Sequence, residues 1–388
     1  MAASDRMTAL PGPPDPWAPS EMPPFRSRPP YLMTEMIAAE PALAERLVHR
    51  FGADPAIEVV ATAVGDASRS GRSILTTGCG TSEHAAAAIA ALLNEALDPV
   101  PGREVRAVQA LESLRRPIRD GVLIAVSHEG GTGATNQAIR AAADAGARTA
   151  LITVGGGSPG AELADVVIQT GEQDQSWCHT VGYLSPILAG VAVAATLRGT
   201  TPDAMAIRAL LDVSHEPRAA ADMAAALATV DRVVTVGSGI DLVTARELAL
   251  KISEGAHLPA SATDVESILH GQLGAANRWA GIVLVRTDDE LPIEPFLDRT
   301  RRVLAAAAAL QLPTAAILGE GAAAAIPRDE TPGGRIVLPH TGRVPGLAGS
   351  LLASAMALQL LTERLARARG VDPDTIGRED AAQAAAHA

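Results

Sequence analysis

Residues 76–85 read TTGCGTSEHA, and the fold turns on how they are read. Two threonines close an apolar run that begins at Ser73. Gly78 and Gly80 frame Cys79, Thr81 and Ser82 keep the next side chains small, and from Ala85 the text is alanine-rich. That order is a strand, a tight turn and a helix. The first turn of a helix exposes backbone N–H groups and carries partial positive charge, and small residues let a ligand come close. The stretch therefore predicts an anion site between a strand and a helix.

Working outward, apolar runs alternate with alanine-rich helical text. SILTT, GVLIAVS, RTALITV and DVVIQT read as buried strands, EVRAVQ as an edge strand, and TNQAIRAAADAGA as a helix closed by glycine. Near-continuous apolar strands alternating with helices predict a parallel sheet covered on both faces. The first unit ends near Thr200-Thr201-Pro202. A helical segment follows over 203–231, and RVVTVGSGIDLVTARELALKISEGA then repeats the strand, glycine turn and helix, with Gly237-Ser238-Gly239 echoing Gly78-Cys79-Gly80. GIVLV, PTAAIL and RIVLP supply further strands, and a long helix around GLAGSLLASAMALQLLTERLARARG comes last. The expected fold class is α/β: two tandem units, each a flavodoxin-like parallel sheet flanked by helices. The expected division is a proline-rich, extended or partly disordered arm over 1–32, units over 33–202 and 203–370, and a tail over 371–388. Ligands of such sheets bind outside the carboxyl ends of the strands, where both 78–82 and 127–132 fall.

Composition narrows the function. The 388 residues are 47% hydrophobic and 20% charged, with a net charge of −12. So acidic a chain is a poor partner for nucleic acid or an anionic membrane surface. No apolar run long enough for a bilayer and no signal peptide is read. Cys79 and Cys178 are too few for a disulfide framework, which suits reduced thiols and a cytoplasmic protein. The histidines show no His-x-His or HExxH spacing, so no metal is expected. VGSGID lacks the third glycine of a dinucleotide fingerprint, so no nucleotide cofactor is expected either.

Glu247, Lys251 and Glu254 stand at i, i+4 and i+7, on one face of a helix. Taken alone they are either an exposed ion-pair ladder or two carboxylates and an ammonium aimed at a pocket. Four motifs together narrow this: Cys79-Gly80-Thr81-Ser82, the loop Ser127-His128-Glu129-Gly130-Gly131-Thr132, the Glu247–Glu254 set, and His270-Gly271 sixteen residues after Glu254. In this order they resemble the sugar isomerase (SIS) domain family over about residues 33–378. Within it they resemble the isomerase half of glucosamine-6-phosphate synthase and the related glucosamine-6-phosphate deaminases and fructosamine-phosphate deglycases.

The resemblance implies a homodimeric enzyme acting on a small sugar derivative. Glu254 would be the proton-transfer base, with Glu247 beside it, and Lys251 would polarise the oxygens at C1 and C2. His270, contributed by the neighbouring subunit, would open the sugar ring. Cys79, Gly80, Thr81, Ser82, Ser127, His128, Glu129, Gly130 and Thr132 would hold the anionic end. No N-terminal nucleophilic cysteine for releasing ammonia from glutamine is read, so the synthase reaction is not expected. The leading expectation is an aldose–ketose isomerase for a hexose with an anionic C6 group. An amino-sugar-phosphate deaminase or deglycase is the runner-up, and a non-catalytic sugar-phosphate sensor is the reading from another class.

Three departures from the family pattern bear on specificity. Glu129 replaces the second loop serine, and a carboxylate about 4 Å from a phosphate costs on the order of 1 kcal/mol in water. Either it points away, or the bound group is a sulfonate or a neutral polyol end. His128 replaces a polar residue and is expected to donate to an anion. Trp177-Cys178-His179-Thr180 replaces a small sugar-lining segment, with His179 a sugar contact and Trp177 either a specificity element or core packing. The C-terminal GVDPDTIGRED carries no counterpart of the synthase's lysine.

Overall fold

The computed structural model describes residues 26–97, 104–288, 293–340, 342–344, 346–378 and 380–386. Most of the expected 1–32 arm, up to residue 25, lies outside them. The chain forms two compact units. The first comprises Ala39–Gln175 and Val181–Arg208. The second comprises Ser176–Thr180 and the chain from Ala209 on, together with residues 26–38.

In chain order the elements up to residue 197 are α1 (Leu32–Ala53), α2 (Pro55–Arg69), β1 (Ile74–Gly78), α3 (Thr81–Ala96), β2 (Arg106–Gln109), α4 (Ala110–Ser113), β3 (Val122–Val126), α5 (Gly133–Asp144), β4 (Arg148–Thr153), β5 (Val166–Gln169) and α6 (Val181–Leu197). The strands pair in the order β2-β1-β3-β4-β5, every pair parallel. Every residue of β1 and β3 is buried, which explains their unbroken apolar text. Leu75, Leu123, Ala125, Ile139, Ala142 and Leu151 form part of this unit's core. Helix α6 is buried from Val181 to Ala194. It comes so near α3 that a side chain on Gly190 would stand 2.7 Å from Ile89.

The later elements are α7 (Ala204–Ser214), α8 (Pro217–Leu227), β6 (Arg232–Val236), α9 (Ile240–Ala256), β7 (Ala260–Thr263), β8 (Ala280–Arg286), α10 (Ile293–Ala309), β9 (Thr314–Gly319), α11 (Glu320–Ala325), β10 (Arg335–Leu338), α12 (Gly346–Arg369) and α13 (Ala381–Ala386). Their sheet runs β10-β9-β8-β6-β7, again all parallel. Read from the other edge it is β7-β6-β8-β9-β10, the order of the first sheet. The strand–turn–helix repeat of the sequence is thus a repeat of topology.

Three expectations change. The helical text of 203–231 is two helices, because Pro217 has no N–H to continue α7 and instead opens α8. β7 is a strand that the sequence reading missed: Ala260–Thr263 is small and half-exposed, so it lacks an apolar signal. Helix α12 is long and apolar enough, by length and composition, to cross a membrane, contrary to the reading that no run reaches that size. It is buried from Leu351 to Glu363 and packs on α8 and α9.

Candidate functional site

In the first unit the ends of β1 and β3 lie side by side, since the two strands pair as far as Thr77 and Ala125. A side chain on Gly78 would meet the carbonyl oxygen of Ser82 at 2.5 Å, so only glycine lets α3 start so close. Gly80 caps α3 at φ 57° and ψ −128°, backbone that L side chains rarely adopt. The half-buried Cys79 thiol lies 3.8 Å from Thr135 Oγ1, and Gln109 Nε2 donates to it at 3.6 Å. Those contacts tie the turn to the end of β2 and to α5. They leave Cys79 a packing residue that lends the site its backbone.

The loop after β3 brings the two expected hydroxyls together: Ser127 Oγ donates to Thr132 Oγ1 at 3.4 Å. Ser127 is buried and Thr132 exposed, so the pair runs from core to surface. Gly130 has φ +66°, and a side chain there would collide with Ser158 Oγ. Thr132 caps α5 without using its hydroxyl as a cap. The loop thus presents hydroxyls at the start of α5, whose first-turn N–H groups are of the kind that can hold an anion. Glu129 is exposed, which keeps its carboxylate in high dielectric where repulsion is weak.

His128 differs from expectation. Its ring is buried, and Nε2 accepts the backbone N–H of Asp174 at 2.9 Å. Burial lowers its pKa from 6.5 to about 4, so the imidazole is neutral near pH 7. It lends no positive charge to an anion; it fastens the loop to the segment after β5. Asp174 in turn accepts the N–H of Gly182 through Oδ2 at 2.9 Å.

In the second unit the three acid–base candidates are not an exposed ladder. Glu247 and Lys251 are fully buried, and the Glu254 side chain keeps 27% of its surface. Lys251 Nζ donates to Glu254 Oε2 at 2.7 Å and lies 3.6 Å from Glu247 Oε1. Burial disfavours the ammonium, but the carboxylates of Glu254 and Glu247 outweigh it and hold Lys251 protonated above the ordinary lysine range. Lys251 is the chain's single lysine.

Ser176–Thr180 belongs to this unit. Cys178 Sγ lies 4.0 Å from the carbonyl oxygen of Lys251, and a side chain on Gly255 would press on that sulfur at 2.9 Å. Thr180 O accepts Gln359 Nε2 of α12 at 3.1 Å. His179 is half-buried between these anchors. Trp177 is exposed, not core: its ring carries the Arg378 guanidinium at 4.3 Å, a cation–π contact. His270 is exposed and its Nε2 is paired with Glu266 Oε1 at 2.8 Å. Within one chain, then, α9 unites Glu247, Lys251 and Glu254, while His270 stands on a surface turn.

Residues 69–197 match the SIS domain family. That match covers about a third of the chain. The matched stretch includes both the 78–82 turn and the 127–132 loop. The chain is 27% identical over 324 residues to mouse (Mus musculus) glutamine–fructose-6-phosphate aminotransferase [isomerizing] 2, with 78% of this chain and 44% of the relative covered. It therefore spans less than half of that relative's length. The C-terminal domain of glucosamine-fructose-6-phosphate aminotransferase from Francisella tularensis has the same fold, with TM-score 0.74, 18% identity and coverage of 90% of this chain and 99% of that one. Tagatose-6-phosphate ketose/aldose isomerase from Escherichia coli shares it too, at TM-score 0.69 and 18% identity over 92% and 98% of the two chains.

Within the matched stretch, sequence reasoning named the turn and loop and missed Asp174, whose role rests on where His128 points. Beyond it, Asp241 and Thr287 were missed. One signal was available: Asp241 stands two residues after Gly239, as Ser82 stands two after Gly80.

Proposed function

We propose that the chain is a sugar-phosphate isomerase that interconverts aldose and ketose forms of a hexose with an anionic C6 group. The observation that carries this is the Glu247–Lys251–Glu254 set: a protonated, buried ammonium bonded to a carboxylate that remains partly open to solvent. Such a pair suits proton transfer between adjacent carbons. Glu254 takes the proton from C2 of the open-chain aldose, the electrons move to O1, and Lys251 steadies the negative charge there. Glu254 then returns the proton to C1 while the proton of the O2 hydroxyl passes to O1, which completes the ketose. The SIS domain's hydroxyl loop holds the anionic end, phosphate or sulfonate. The working unit is a homodimer in which His270 opens the ring bound to the other subunit.

The test is incubation in D₂O with C6-phosphorylated and C6-sulfonated hexoses. Deuterium is expected at C2, and Glu254→Gln is expected to lower exchange on the order of 10²–10⁴-fold. Ammonia released from glucosamine 6-phosphate without C2 exchange in hexose phosphates would make the protein a deaminase. Tight sugar binding with no turnover in either protein would make it a sensor.

A further inference from the structure

The glycine turns of the two units correspond 159 positions apart, from 78 to 237 and from 80 to 239. Thr76 Oγ1 donates to Ala86 O at 2.7 Å, and Thr235 Oγ1 to Ala245 O at 2.7 Å. A side chain on Gly78 would meet Ser82 O at 2.5 Å, and one on Gly237 would meet Asp241 O at 2.4 Å. Gly239 has φ 60° and ψ −130°, within a few degrees of Gly80. One position breaks the match. The first turn has Ser82, half-buried; the second has Asp241, completely buried.

The Asp241 carboxylate is fully engaged. Oδ1 and Oδ2 each lie 3.0 Å from the donating N–H of Thr287, Oδ1 accepts Thr287 Oγ1–H at 2.6 Å, and Oδ2 accepts Asp288 N–H at 3.4 Å. Thr287 and Asp288 follow β8, and β8 pairs with β6 as β3 pairs with β1. They are the second unit's counterpart of the loop that begins at Ser127. Thr287 Oγ1 is bonded on to Ser350 of α12, and Thr244 of α9 meets Ser354 of α12 at 3.0 Å. An ionised carboxylate with four lone-pair sites can satisfy these donors; a neutral amide cannot accept at both ends.

We propose that Asp241 is a built-in anion: its carboxylate takes, in the second unit, the place a ligand's charge takes in the first, and so positions α9. This rests on reading the first turn as a ligand site. Asp241 lies six residues, about 9 Å of helix, before Glu247. Holding that end of α9 against β8 and α12 fixes the register of Glu247, Lys251 and Glu254. Asp241 is thus a positioning residue, and each chain binds one external anion, in the SIS domain.

The test uses the full chain as Asp241→Ala, with sodium formate as the stand-in carboxylate and sodium chloride at equal ionic strength. Amide hydrogen exchange in α9 is expected to quicken at least tenfold in chloride and to recover saturably in formate, while wild type responds to neither salt. For deuterium exchange into fructose 6-phosphate, kcat is expected to fall at least tenfold with KM within threefold, and formate is expected to restore part of kcat. Equal behaviour in the two salts, or unchanged exchange in α9, overturns the proposal. If wild type turns over no sugar, the functional reading fails while the formate response still decides this one. If Asp241→Ala does not fold, Asp241→Asn replaces it: faster exchange confined to α9 supports the proposal, and wild-type exchange overturns it.

Discussion

Lys251 shows what one residue's surroundings decide. Two glutamates hold it charged in a place where burial alone would neutralise it. A protonated amine is no nucleophile, so incubation with fructose 6-phosphate and borohydride is expected to add no sugar mass at Lys251. Because the chain has no other lysine, peptide mapping separates that position from the α-amino group. Lys251→Met strands two carboxylates, one completely buried. It is expected to destabilise the second unit by about 3–5 kcal/mol in urea titrations. Lys251→Met with Glu247→Gln is expected to recover part of that. The sequence carried the spacing of these three residues, which puts them on one face. It could not carry their burial, which α9 acquires only by packing against α12 and the Cys178 segment.

At the scale of elements, His128 and Asp241 are buried titratable groups at the two turn-and-loop junctions, with opposite consequences for pH. Burial raises Asp241 from 3.8 to about 6, partly offset by the Thr287 hydrogen bonds. The folded chain therefore keeps a proton that the unfolded chain loses above pH 4. Stability from this group falls by about 3 kcal/mol as pH rises from 4 through 6, and above that range it is the carboxylate anion that accepts from Thr287 and Asp288. His128 runs the other way. Its pKa falls from 6.5 to about 4, so the unfolded chain gains a proton first, and about 3 kcal/mol is lost as pH falls from 6.5 to 4. Urea midpoints measured from pH 4 to 7 test both. In wild type the two contributions nearly cancel over this window; His128→Asn is expected to unmask the fall on alkalinisation, and Asp241→Asn the fall on acidification. The strands and the glycine turns were legible because periodicity and glycine are local signals. β7 was not, because an edge strand needs no apolar side chains when its neighbour β6 supplies the hydrogen bonds. His128 was read with the wrong role because the direction of a ring depends on Asp174, 46 residues away.

At the scale of the molecule, the proposed dimer makes a test that neither unit can pass alone. Co-expressing His270→Ala with Glu254→Gln gives mixed dimers with one intact site in two. If His270 serves the partner's site, random pairing is expected to restore about a quarter of wild-type exchange, from two variants that are each inactive. If His270 serves its own chain, the mixture stays as inactive as its components; if it serves none, His270→Ala is active on its own.

The sequence by itself determined the alternation that makes two parallel sheets, the two glycine turns, and the face that collects Glu247, Lys251 and Glu254. Each follows from neighbours within a few residues, because backbone freedom and side-chain period are local properties. Tertiary structure alone decided that Lys251 is buried and charged, that His128 is neutral and turned inward, and that the second turn is filled by Asp241. Those facts depend on which groups meet across tens of residues, and charge, protonation and occupancy are set by that meeting.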